Sequence, residues 1–220
     1  MPATRSPRRK VKKMDKEIRA FNFEVRAEED ERGHMLTGMP IVYDERTDLG
    51  WHDEIIDDGA LADTDLRDVR FLVNHNTDMI PLARSRNNNE NSTMQMEVIE
   101  GKGMAIRVNL DTENNADARS LYSAVERGDI SGMSFMFSVR EDAWEDLDTE
   151  HPTRHIRAFD KVFEVSAVTF PAYEATSIQA RGLADALESA KRSLESARAE
   201  KRKIERQKQK IRIMTEVFNK

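Results

Sequence analysis

Residues 131–137 read SGMSFMF. The period-two alternation of a strand puts Met133, Phe135 and Phe137 on one face and Ser134 on the other. A run this apolar is built for burial. The hydroxyl at 134 is therefore either the small outward residue of an ordinary strand or a nucleophile presented from a rigid one. It does not sit in a nucleophile elbow, which needs Gly-x-Ser-x-Gly so that the second glycine can turn sharply into a helix; Met136 stands in that place. A reactive Ser134 would need a histidine base from elsewhere in the chain and a third group to orient that base.

Working outward, most flanking segments also read as strands. Residues 18–27 alternate, with Phe21, Phe23 and Val25 on one face. MLTGMPIVYDE (35–45) is a second strand in which Gly38 and Pro40 mark a bulge or an edge. Residues 61–68 are expected to form a short helix. VRFLVNH (69–75) is an apolar strand ending on a histidine. TMQMEVIEGKGMAIRVNL (93–110) is a hairpin turning at EGKG. Residues 115–127 read as a helix capped by Asn115, striped by Ala118, Leu121, Tyr122 and Val125, and stopped at Gly128. RHIRAFDKVFEVSAVTF (154–170) reads as two strands ended by Pro171. Many strands, one clear middle helix and little strand–helix alternation give an α+β fold and argue against a doubly wound parallel sheet.

Charge divides the 220 residues into three parts. Residues 1–13 hold six Lys/Arg and no acid, a basic arm expected to be disordered. Residues 14–182, the expected folded domain, carry a net charge of −17, which repels nucleic acid and argues against it as the main partner. Residues 183–220 carry +5 and place Leu183, Leu187, Ala190, Leu194, Ala197, Ile204 and Ile211 on a heptad seam interrupted by Lys201 and Lys208. That pattern is a charged amphipathic helix or a weak coiled coil, suited to docking on a partner helix and expected to be dispensable for chemistry. The absence of cysteine excludes a disulfide framework, thiol catalysis and cysteine–zinc sites. No apolar run is long enough to span a membrane, and the basic N-terminus lacks the apolar stretch of a signal peptide.

Among the histidines, His75 at the mouth of an apolar strand is the best candidate base. His34 and His52 lie in charged or turn-like settings. His151 and His155 have the H-x-x-x-H spacing of helix-borne metal ligands, but Pro152 and the lack of an adjoining glutamate argue against it, and no metal or cofactor is expected. Glu164 shares strand parity with Val162, Ser166 and Val168. A carboxylate on that face is either paired, for which a histidine would serve, or sits where the face is wet.

The order FLVNHN (71–76), GDISGMSFMFSV (128–139) and FEVSAVTFPAYEAT (163–176), preceded by GMPIVYDERT and WHDEIIDDGAL, resembles the prohead proteases of tailed bacteriophages, distant relatives of the herpesvirus assemblins. The resemblance implies an assemblin-like antiparallel β-barrel with surrounding helices and a serine endopeptidase. It puts the nucleophile on Ser134, the general base on His75 and the third member on Glu164. His155 is kept in reserve, because assemblins use a second histidine. The implied substrates are the scaffolding segment of the major capsid protein and the protease itself, within the assembling prohead in the host cytoplasm. Self-association is a further expectation. A catalytically inactive scaffolding protein acting through its C-terminal helix is the alternative.

Overall fold

The structure is a computed structural model that describes residues 16–21, 25–31, 33–169 and 179–218. The basic arm, Phe23 and the PAYEAT segment lie outside the described residues. In chain order the elements are β1 (Glu17–Phe21), β2 (Arg26–Asp30), β3 (Gly33–Val42), β4 (Thr47–Asp48), β5 (Asp53–Ile56), β6 (Asp68–Val73), β7 (Ala83–Arg86), β8 (Met94–Ile99), β9 (Gly103–Asn109), α1 (Ala116–Glu126), β10 (Gly132–Glu145), β11 (Thr153–Val168) and α2 (Gln179–Phe218).

The strands form two sheets. One has seven strands, ordered β1-β10-β11-β5-β4, with β6 also paired to β11 and β7 beyond β6; the other is the four-stranded β2-β3-β9-β8. This is the expected α+β class. The pairing departs from an all-antiparallel barrel, because β11 runs parallel to both β5 and β6, and no closed ring is found among the described residues. Met133, Phe135 and Phe137 point into the core as their alternation requires, and Phe159 meets the two phenylalanines edge-on. Sheet two adds Leu36, Ile41, Met94, Met104 and Val108 to the same cluster. A fully buried side chain of this size stabilises by roughly 1.5–3 kcal/mol, so this shared core holds the sheets together.

α1 starts and stops where the sequence places it. The Asn115 side chain accepts from the Asp117 and Ala118 N–H groups, and Ala118, Leu121 and Val125 are buried. The hairpin β8/β9 also forms as expected. At Gly103 a Cβ would come 2.0 Å from the Ile41 carbonyl oxygen, so only glycine fits the close approach of β9 to β3.

Three local expectations are corrected. Residues 18–27 are not one strand: β1 pairs with β10 in the larger sheet, whereas β2 pairs with β3 in the smaller. Residues 61–68 form no helix; they make turns and a parallel bridge from Asp65 to Lys161. Residues 153–168 are one long strand rather than two. Its outer edge is covered by β5 at 153–156 and by β6 at 164–167. Asp160 and Lys161 lie between those two partners, where Lys161 bridges to Asp65.

The C-terminal helix is not free-standing over its first half. Ala190 and Leu194 are buried against Trp144, with Trp51, Leu147 and Ala197 around them. The Trp144 indole N–H donates to Ser193 Oγ at 3.0 Å, and Ser193 donates to Asp142 at 2.8 Å. Beyond Lys201, which pairs with Asp148, residues 202–215 are exposed. The seam is thus used by the domain itself at its N-terminal end and left uncovered at Ile204 and Ile211.

Candidate functional site

β6 delivers His75. Directly after the strand, Asn74 and His75 both adopt left-handed backbone conformations, with φ of 51° and 56°. Such angles are uncommon outside glycine, with Asn and His among the residues that tolerate them best. They persist because β11 holds them. Asn74 N–H donates to the Ala167 carbonyl at 2.9 Å, and Asn74 Nδ2 donates to Thr169 Oγ1 at 3.0 Å. His75 N–H donates to Ser166 Oγ at 3.1 Å.

The turn swings the imidazole onto Glu164. His75 Nδ1 lies 2.5 Å from Glu164 Oε1, and the two side chains are 7% and 4% exposed. Glu164 Oε2 accepts from Ser166 Oγ at 2.6 Å. An ionised carboxylate can only accept, so Nδ1 carries the proton of the neutral ring and Nε2 is left as the basic nitrogen. Nε2 is buried and has no hydrogen-bond partner among the described residues. A histidine fixed in one tautomer with a free basic nitrogen is suited to taking a proton.

Ser134 is tied to this pair by strand register. It stands directly opposite Ser166 on β10 and β11, with Met136 opposite Glu164. Facing residues in an antiparallel ladder have Cα atoms about 4.5–5.5 Å apart and side chains on one face. The hydroxyl itself donates to the Arg19 carbonyl of β1 at 2.7 Å, and the residue is fully buried. Both faces of β10 are therefore covered at this point, not only the phenylalanine face.

The reserve candidate lies elsewhere. His155 is nine residues back along β11, about 30 Å away at the usual rise of an extended strand, and its Nδ1 meets Asp57 Oδ1 at 2.7 Å. His151 is separated from it in a bend and contacts Asp53 at 3.0 Å. Asp48, Asp53 and His151 each bring a ligand atom within 4.8 Å of the others, but Arg46 already supplies the cation there, 2.6 Å from Asp53. His34 Nδ1 meets Thr112 Oγ1 at 2.6 Å. His52 is buried between Trp51 and Trp144, and burial pushes its imidazole down to about 4.

Two features escaped the sequence reading. Ser166 showed only a shared parity with Glu164; its double hydrogen bond had no separate signal. The second is a buried ionic cluster at the far end of β11. Arg154 bonds Glu17 at 2.7 Å and Asp142 at 2.8 Å, and Arg19 bonds Glu54 at 2.5 Å. Burial alone would raise Glu17, but Arg19 and Arg154 outweigh it and hold the carboxyl below its ordinary value. The cluster locks β1, β5, β10 and β11 together, and nothing in the local sequence pattern separates these charges from solvent-facing ones.

An open groove of about 890 Å³ adjoins His75, running between the β6–β7 connection and α1. Its size falls within the range of sites that enclose drug-sized ligands.

A family model described as caudovirus prohead serine protease matches residues 21–191. The prohead protease of Enterobacteria phage HK97 is 30% identical over 123 residues, which cover 56% of this chain and 49% of the relative. The chain thus spans about half the length of that curated relative. No solved structure matches. The matched span contains β2 to β11 and the docked start of α2, so the chain belongs to the caudovirus prohead serine protease family.

Proposed function

We propose that this chain is a serine endopeptidase of prohead maturation in which Ser134 is the nucleophile, His75 the general base and Glu164 the group that orients the base. The observation that carries the reading is the His75 Nδ1–Glu164 bond at 2.5 Å, with Nε2 left without a partner among the described residues and Ser134 facing Ser166, which bonds that pair, across β10 and β11. In the reaction Ser134 Oγ exchanges the Arg19 carbonyl for His75 Nε2 and gives up its proton there as it attacks the scissile carbonyl. Backbone N–H groups hold the resulting oxyanion. His75 then returns the proton to the leaving amine, and Glu164 stabilises the imidazolium formed in between. Water repeats the cycle to release the acyl group. The substrates are the scaffolding segment of the phage's capsid protein and this chain itself, and the site of action is the assembling prohead. An assemblin-like barrel, with the described sheets as its wall, remains the architecture this reading favours.

A second reading, an inactive interaction protein, draws on the burial of Ser134 and its bond to Arg19. Fluorophosphonate labelling separates the two. An activated serine displaces fluoride and forms an oxygen–phosphorus bond that mass spectrometry locates. We expect the adduct on Ser134 in the wild type and none in His75→Ala. No adduct on Ser134 would favour the inactive reading.

A further inference from the structure

The groove beside His75 has a composition that points to its ligand. Val73, Met79, Leu121, Ala124 and Ile130 give it an apolar lining, and Asp78 and Asp117 add two carboxylates. Some acids elsewhere on the domain are matched with cations, as Asp53 with Arg46, Asp65 with Lys161, Asp68 with Arg84 and Asp142 with Arg154. Asp78 and Asp117 have no ion-pair partner among the described residues, and no Lys or Arg is among the described residues of the lining. The groove also reaches Ile130, two residues before the strand that carries Ser134.

We propose that this groove is the substrate subsite and that it selects an extended peptide with a large aliphatic side chain next to a lysine or arginine, close to the scissile bond. The proposal rests on the protease reading above for its position in the reaction, and adds the chemistry of the substrate. The aliphatic side chain covers the apolar lining that water now touches, and the cation supplies the partner that Asp78 and Asp117 lack. The occupant is peptide, because the groove adjoins the histidine, and an extended chain advances about 3.3 Å per residue with successive side chains on opposite faces. Neighbouring side chains therefore meet the two opposite walls, residues 73–79 and 117–124, each of which offers apolar surface and a carboxylate. Charges at an exposed rim act weakly and are screened, so the carboxylates should favour a cation over an anion by only about 10-fold.

The test reads binding separately from cleavage. Fluorescein-labelled peptides, identical except for Leu-Lys, Leu-Glu or Ala-Lys at the centre, are titrated by anisotropy against the full chain carrying Ser134→Ala. The Leu-Lys peptide is expected to bind about 10-fold more tightly than Leu-Glu, and more tightly than Ala-Lys. Asp78→Asn with Asp117→Asn should abolish the Lys–Glu difference, and Ala124→Trp should weaken all three peptides by filling the groove. Glu97→Gln with Glu100→Gln, on the β8 hairpin and outside the groove lining, should leave the selectivity intact and so exclude general attraction to an acidic domain. Equal binding of Lys and Glu peptides, no binding of any peptide, or selectivity that survives the double aspartate change would overturn the proposal. Selective binding without cleavage by the wild type would uphold the groove and count against the triad instead.

Discussion

Ser134 and Ser166 face each other across β10 and β11, yet only Ser166 is bonded to the His75–Glu164 pair. Ser166 holds that pair, while the Ser134 hydroxyl is bonded to the Arg19 carbonyl of β1. Ser166 positions two things: the second oxygen of Glu164, and the backbone N–H of His75 in its left-handed turn. Ser166→Ala removes a hydrogen bond to a charged group, worth about 1.5–3 kcal/mol, so kcat should fall about 10- to 100-fold with KM little changed. A KM effect of the same size with kcat intact would show that Ser166 contacts substrate and does not position the base.

Glu164→Gln should cost more. The amide N–H₂ can donate to His75 Nδ1 and so favour the tautomer whose Nε2 already carries a proton. Loss of the orienting carboxylate lowers kcat by up to about four orders of magnitude. His155→Ala, at the other end of the strand and bonded to Asp57, should leave kcat within about twofold. Peptide hydrolysis by the two variants checks both, and reversed effects would place the third member on the histidine.

Acid should weaken the fold through His52. The unfolded chain protonates this imidazole near 6.5, whereas the folded chain resists protonation down to about 4. Between those values the unfolded state binds the extra proton, so stability is full above pH 6.5 and falls as pH drops towards 4. From pH 7 to pH 5 the loss is about 2 kcal/mol. His52→Phe should remove that part of the slope in urea unfolding at the two pH values. Parallel slopes for variant and wild type would refute it.

Shortening α2 should have two different outcomes. A chain ending at Gly182 loses Ala190, Leu194 and the Ser193 partner of Trp144, exposing the apolar surface around that indole to water. Those losses amount to about 3–5 kcal/mol, enough to leave a marginal domain poorly soluble. A chain ending at Glu205 keeps every described contact between α2 and Trp144, Leu147 and Asp148, and should melt within a few degrees of the full chain. Equal melting of both would mean that the docked half contributes nothing.

The sequence revealed the elements whose pattern is local. Alternation at Met94–Val98 and Met104–Leu110 marked the hairpin, and Asn115 with Gly128 bounded α1, because periodicity and capping depend on neighbours in the chain. It misread what depends on distant partners. Residues 154–170 read as two strands, and only the change of partner from β5 to β6 along one edge reveals a single long one. Nothing local marks Arg154 and Glu17 as buried, because their neutralising partners lie on other strands. His75 and Glu164 were found as separate candidates, and the resemblance joined them; the bond through Ser166 depends on a register that no local pattern records.

The three strands that present the proposed machinery lie side by side: β6 leads into His75, β11 carries Glu164 and Ser166, and β10 carries Ser134. Ser134 and Glu164 ride on one hydrogen-bonded ladder, and His75, two residues past β6, is held to it through Asn74 and Ser166. Misaligning them requires tearing the centre of the larger sheet. Heat or denaturant should therefore abolish proteolysis and tertiary structure in one step, with no window in which a folded chain has lost its activity.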